Sequence, residues 1–163
     1  VTIPRVPDFT TGVLDTSKLS ALADAVRYAL NPPGAGARGV APTVVGGAGL
    51  GVFVSFDTED FDNASMFAPP STLITVVDAG FYTCLGWIQF AAAAAGTRAC
   101  QMTVNGTSVV DDARTSPNST LGMTVGITKL LAAGDQVQLV ASQTSGGNLN
   151  VTGRLSVVRV SGS

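Results

Sequence analysis

From residue 52 to residue 160 the chain is cut into short runs in which apolar and polar residues alternate, with turn-forming residues between them at fairly regular spacing. The runs span 52–56, 72–77, 80–91, 98–104, 107–110, 121–131, 136–142 and 149–160. A period of two puts successive side chains on opposite faces of a strand, so a chain patterned this way folds as an all-β sandwich or barrel. Asn105-Gly106, between two of the runs, is a two-residue hairpin signal, because both residues tolerate the positive φ that such a turn needs. Ala132-Ala133-Gly134-Asp135 supplies another connection, and Asp111 and Asp112 read as turn residues.

The run 80–91 is apolar on both faces: Tyr82, Cys84, Gly86, Ile88 and Phe90 share one, and Phe81, Thr83, Leu85, Trp87 and Gln89 share the other. A strand covered on both sides is central in a sandwich whose outer face meets another subunit, or is overlaid by the arm. Trp87 is therefore an interface anchor or an ordinary core residue. If this run formed a hairpin with 98–104 around Ala95 and Gly96, Cys84 and Cys100 would not be cross-strand neighbours, and the expectation is two buried free thiols.

Before the β-patterned region the chain has a different character. Residues 1–14 hold Pro4 and Pro7 among apolar residues such as Phe9 and Leu14, and read as an extended arm. A helix follows, capped by Asp15, Thr16 or Ser17, with Leu19, Leu22, Val26 and Ala29 or Leu30 at three-four spacing, until Asn31-Pro32-Pro33 ends it. So narrow a stripe suits the seam of a short coiled coil or a helix lying on its own β domain. Residues 34–51, rich in glycine and containing Pro42, read as a linker. The expected organisation is an arm and helix for attachment or trimerisation over 1–33, a linker over 34–51 and a β domain over 52–163.

Charged residues are 12% of the chain while hydrophobic ones are 45%, about half the ~25% charge of an ordinary domain. A surface so poor in charge favours burial against copies or neighbours. The formal net charge of −2 gives no attraction for nucleic acid or an anionic membrane. The uncharged stretches 39–56 and 79–97 are broken by glycine, proline and glutamine, which argues against a membrane helix. Arg5 and Asp8 interrupt the place where a leader's apolar run would begin, so the expectation is folding and assembly in a cytoplasm.

The chemistry-bearing residues point away from catalysis. With no histidine, the usual general base, triad member and commonest transition-metal ligand are missing. Gly34-Ala35-Gly36-Ala37-Arg38-Gly39 matches the glycine pattern of dinucleotide-binding turns but follows Pro32-Pro33 rather than a strand. Asp57, Glu59, Asp60 and Asp62 lack the spacing of a calcium loop and read as a solvated loop. Asn-x-Ser/Thr patterns at Asn63, Asn105, Asn118 and Asn150 occur by chance in a Ser/Thr-rich chain. No enzymatic activity, metal or cofactor is expected.

The ordered set Phe56, Asp60, Asp62, Met66, Ser71-Thr72-Leu73-Ile74-Thr75-Val76, Ala79-Gly80-Phe81-Tyr82, Arg98, Val104-Asn105-Gly106, Leu131 to Val137 and Gln143 resembles the C1q/TNF-like jelly-roll domains common in phage structural proteins. The arm Pro4 to Phe9, with Leu19 to Leu30 and Asn31-Pro32-Pro33, is similar to the amino-terminal segment of small actinobacteriophage minor tail, head-fibre or capsid-decoration proteins. The resemblance implies an antiparallel jelly roll, preceded by an arm and one short helix, that packs as a homotrimer through apolar faces. It further implies a virion protein bound to the capsid lattice or to tail proteins, with Phe9, Leu14, Leu19, Leu22, Val26, Tyr28, Leu30 and Trp87 as candidate attachment or trimer contacts. The chain departs from secreted animal relatives in lacking a collagen-like stalk and paired cysteines. A host-surface glycan adhesin is the alternative, and it would need aromatic residues in loops such as 94–97 and 144–148, where there are none.

Overall fold

The structure, a computed structural model, describes residues 16–116 and 118–161. It opens with helix α1 (Thr16–Leu30), followed by β1 (Gly34–Arg38), β2 (Thr43–Val45), β3 (Val52–Phe53), β4 (Thr58–Asp62), β5 (Leu73–Thr75), β6 (Gly80–Phe90), β7 (Thr97–Val104), β8 (Thr107–Thr115), β9 (Leu121–Leu131), β10 (Gln136–Gln143) and β11 (Leu149–Ser161). One sheet of six strands runs β4-β1-β11-β6-β9, with β2 also on β11. The other, of five, runs β3-β10-β7-β8, with β5 also on β10. All the pairings are antiparallel, and the result is a two-sheet jelly-roll sandwich.

The core lies between the sheets, filled by the side chains that alternation turns inward. Tyr82, Cys84, Ile88 and Phe90 of β6, Met123 and Val125 of β9, and Leu155 and Val157 of β11 meet Ile74, Cys100, Met102, Val137 and Leu139 from the opposite sheet. Arg98 is also fully buried, its guanidinium donating to the carbonyls of Ala95 (3.0 Å) and Thr97 (3.2 Å). The hairpin over β7 and β8 turns at Asn105-Gly106, where φ is 52° and 76°, and the Asn105 side chain is held by Asp135 at 2.8 Å.

Three expectations are corrected. Residues 34–51 are not a linker, since β1 is a full member of the first sheet and β2 pairs with β11. Small residues there are strand residues under close neighbours, with Ala35 and Ala37 buried. The acidic stretch is not a loop but chiefly strand β4, where charge is tolerated because, among the described residues, one side of it has no partner strand. Asp111 and Asp112 are not turn residues, because β8 continues to Thr115 and Asp112 pairs with Arg114 at 2.7 Å. The condition of a β6–β7 hairpin is not met, since β6 lies between β11 and β9 and the chain crosses after Phe90 to the other sheet. Cys84 and Cys100 thus belong to different sheets, both as buried free thiols.

Candidate interaction face

The side chains that alternation turns away from the core leave an apolar outer face on the six-stranded sheet. Phe81, Leu85 and Trp87 project from β6, Leu130 from β9, Phe61 from β4, and Val158 and Val160 from β11. Phe61, Phe81, Leu85, Leu130 and Val160 are exposed, while Trp87 and Val158 are half-buried. The register sets these residues in cross-sheet rows. One row reads Phe61, Gly36, Ser156, Leu85, Gly126, its large side chains set beside small ones.

That arrangement flattens the face. A Cβ on Gly36 would stand 2.5 Å from the Phe61 ring, and one on Gly126 would stand 2.7 Å from Leu85. Each large side chain therefore lies across a glycine of the next strand instead of standing upright. Between Phe61, Leu85 and Trp87 the face dips into a shallow hollow of about 240 Å³. Its charged groups share one side of the hollow, where Arg38 pairs with Asp60 at 2.9 Å and Arg154, on the central strand β11, stands beside Trp87. Thr83 and Thr128 hydrogen-bond across β6 and β9 at 3.0 Å, satisfying polar groups within the face.

At the Phe81 end of this sheet the helix is pinned to the roll. The Tyr28 hydroxyl donates to Asp78 Oδ2 (3.2 Å) and accepts from Arg159 Nη1, and the guanidinium lies 4.8 Å from the ring centroid. Arg159 is buried and also donates to Ala79 O at 2.8 Å. Burial chiefly pushes the Tyr28 hydroxyl up to about 12, so it stays protonated and able to donate. The exit from the helix is fixed as well: Asn63 Nδ2 donates to Asn31 Oδ1 (2.7 Å) and Pro32 O (2.9 Å), and Arg159 N–H donates to Pro33 O (2.9 Å).

Of the residues singled out from the sequence, the structure brings Trp87 to the outer face and Tyr28 to the pin. Leu19, Val26 and Leu30 are exposed and Leu22 is half-buried, so most of the helix's apolar stripe is not laid on the described part of its own roll. Phe9 and Leu14 lie outside the described residues. Sequence reading missed Phe61, Leu130 and the glycine cushions. A lone phenylalanine among carboxylates was the available signal, but its role depends on the pairing of β4 with β1.

The remaining candidates do other work. Asp57 accepts from the Val40 and Ala41 amides at 2.9 and 2.7 Å, which holds its carboxyl below the usual range, and Asp62 accepts from the Ala64 and Phe67 amides at 3.0 and 2.9 Å. With Asp60 on Arg38, these carboxylates are turned to separate partners rather than to a common centre. The loops at the far end of the roll, around 46–51, 91–96 and 144–148, carry neither aromatic nor charged residues. No helix among the described residues is long and apolar enough to cross a membrane.

No family model matches the chain, and no curated protein matches it in sequence. Solved structures do match in fold. The globular domain of zebrafish complement 1qA protein superposes with a TM-score of 0.64 at 13% identity, over 80% of this chain and 99% of that one. Murine APRIL at pH 5.0 gives 0.56 at 12% identity over 76% and 97% of the two chains, and at pH 8.5 it gives 0.53 at 11% over 77% and 98%. At such identities the likeness shows the fold.

Proposed function

We propose that this chain is a non-enzymatic assembly module that works as a homotrimer, each copy burying the outer face of its six-stranded sheet against the others around a threefold axis. The observation that carries this reading is that face, with Phe61, Phe81, Leu85, Leu130 and Val160 exposed on one side of one sheet. Contiguous apolar surface of this kind on a soluble domain marks an interaction site. The large side chains are already laid flat over glycine, so little side-chain entropy is left to lose when a partner covers them. The C1q/TNF-like fold supports three copies in particular, since the family resemblance implies trimers packed through apolar faces.

We assign this trimer to a tailed-phage particle, as a capsid decoration protein or a minor tail or fibre subunit, with the arm before α1 engaging the capsid lattice or tail. The resemblance of the arm to small phage virion proteins supports this, as does a composition poor in charge. Valency does the mechanical work, because three arms on one trimer multiply weak contacts with a repeating lattice.

Light scattering on the purified chain tests the assembly. The expected mass is three times the 16.4 kDa chain, and a stable monomer overturns the reading. Antibody labelling of particles carrying the gene tests the location: signal on capsid or tail is expected, and purified particles devoid of the chain overturn the virion role.

A further inference from the structure

We infer that α1 belongs to the assembly interface, its Leu19–Leu22–Val26 seam packing on the same seam of the other two copies as a short parallel three-helix bundle at the Phe81 end of the roll. The inference rests on the trimer proposed above and names the part of the chain that closes it.

Orientation carries the argument. Tyr28 faces the chain's own roll through Asp78 and Arg159. Leu19 lies nine positions earlier, two and a half turns at about 3.6 residues per turn, and so on the opposite side of the helix. Val26, two positions from Tyr28, is turned away by about 200°. The exposure agrees, since Leu19 is 52% and Val26 47% exposed despite their apolar character. The pin that holds the helix thus aims its seam outward, where the described part of its own roll does not cover it.

The seam's form indicates the occupant. Leu19, Leu22, Val26 and Ala29 follow a three-four-three spacing, and apart from Tyr28 and Leu30 the other positions are small or polar, the narrow stripe of a coiled coil rather than the broad stripe of a helix on a sheet. A helix of 15 residues is marginal alone and needs packing. Threefold symmetry brings identical seams together in parallel. The helix is also pinned where the outer face ends: Arg159 precedes Val160, Ala79 precedes Phe81 by two residues, and Phe81 pairs with Leu130. Leu30, fully on the seam's side, extends the apolar surface toward that end.

The test introduces a thiol on the seam, Val26→Cys, or off it, Ser20→Cys, in the full chain. Cys84 and Cys100 are buried and do not compete. Under mild oxidation, Val26→Cys should join two chains of each trimer by a disulfide, while Ser20→Cys should not, with circular dichroism matching the parent in both. Particles that scatter as trimers but in which Val26→Cys joins no chains overturn the inference and leave the trimer standing, the result expected if residues 1–14 of the same chain cover the seam. Equal joining at both positions in trimers overturns it too, since a fixed seam would distinguish them. Monomers that join no chains overturn the trimer, and the bundle with it.

Discussion

Replacing Leu85 by lysine should dissociate the trimer and leave the jelly roll intact. Leu85 sits in the centre of the outer face, 53% exposed, between Ser156 and Gly126. In the single chain the substitution puts a charge on an open strand surface, at a cost of about 1 kcal/mol or less. In the proposed trimer the rest of the side chain would be buried, and completing the burial of a leucine that is half covered contributes about 1 kcal/mol. An ammonium there has Arg154 nearby, and the nearest carboxylate, Asp60, already holds Arg38. Desolvating it without a partner costs at least about 2 kcal/mol more. Over three copies the sum is about 9 kcal/mol, or about six orders of magnitude in the dissociation constant at ~1.4 kcal/mol per decade. Light scattering over a dilution series reads the mass, and a thermal melt by circular dichroism reads the fold. A variant that is folded and still trimeric at the parent's lowest concentration would refute the assignment of this face.

Leu139→Ala should cost about 3 kcal/mol in denaturant unfolding, because the side chain is fully buried between the sheets and close packing cannot refill the gap; an unchanged midpoint would mean that the sheets do not meet there. Stability should fall as pH rises from 9 to 12. Burial raises both the Cys84 and Cys100 thiols from 9.0 to about 12, so below 9 folded and unfolded chains alike hold the protons, and above it only the unfolded chain loses them. The slope should approach ~1.4 kcal/mol per pH unit for each thiol, and Cys84→Ala with Cys100→Ala should remove it between pH 9 and 10, while above 10 the fall due to Tyr28 and Tyr82, which burial also raises, should remain. Asp57→Ala should speed hydrogen exchange at the Val40 and Ala41 amides without a change in global stability. In the parent, whose Asp57 carboxyl is held low, that protection should persist at ordinary pH and disappear as pH falls below the usual carboxylate range; exchange indifferent to acid would disconnect the carboxylate from the turn.

Alternation was enough to locate the long strands. β9 runs over Leu121–Leu131 as the pattern predicts, because eleven residues with one buried face admit a single phase. Helix α1 and the Asn105-Gly106 turn are local features too, and the two-sided apolarity of β6 pointed to an outer face that something covers. What alternation cannot convey is the partner. β6 and β7 are adjacent in sequence, yet β11 and β9 occupy both edges of β6. β1 and β4 were hidden for opposite reasons. Gly-Ala-Gly-Ala-Arg has no bulk to declare a strand until Phe61 lies on it, and Thr-Glu-Asp-Phe-Asp carries the charge of a loop because it forms an edge.

The same pairing explains why such a weakly patterned segment holds its place. In β1 the residues alternate glycine outward under Phe61 and alanine inward against the core, with Ala35 and Ala37 buried. A slip of one residue against β11 would turn alanine methyls outward, where the Phe61 ring already stands 2.5 Å from a Cβ built on Gly36. It would also turn glycine inward, leaving methyl-sized voids in a core packed at crystal density. Both errors come from a single slip, so the register of β1 is specified from its two sides at once. Flatness of the outer face and tightness of the core are therefore one property of this strand. A substitution such as Gly36→Ala, which adds a methyl group to the outer face alone, strains the contact with Phe61 while leaving the inward alanines in place, and thereby separates assembly from folding.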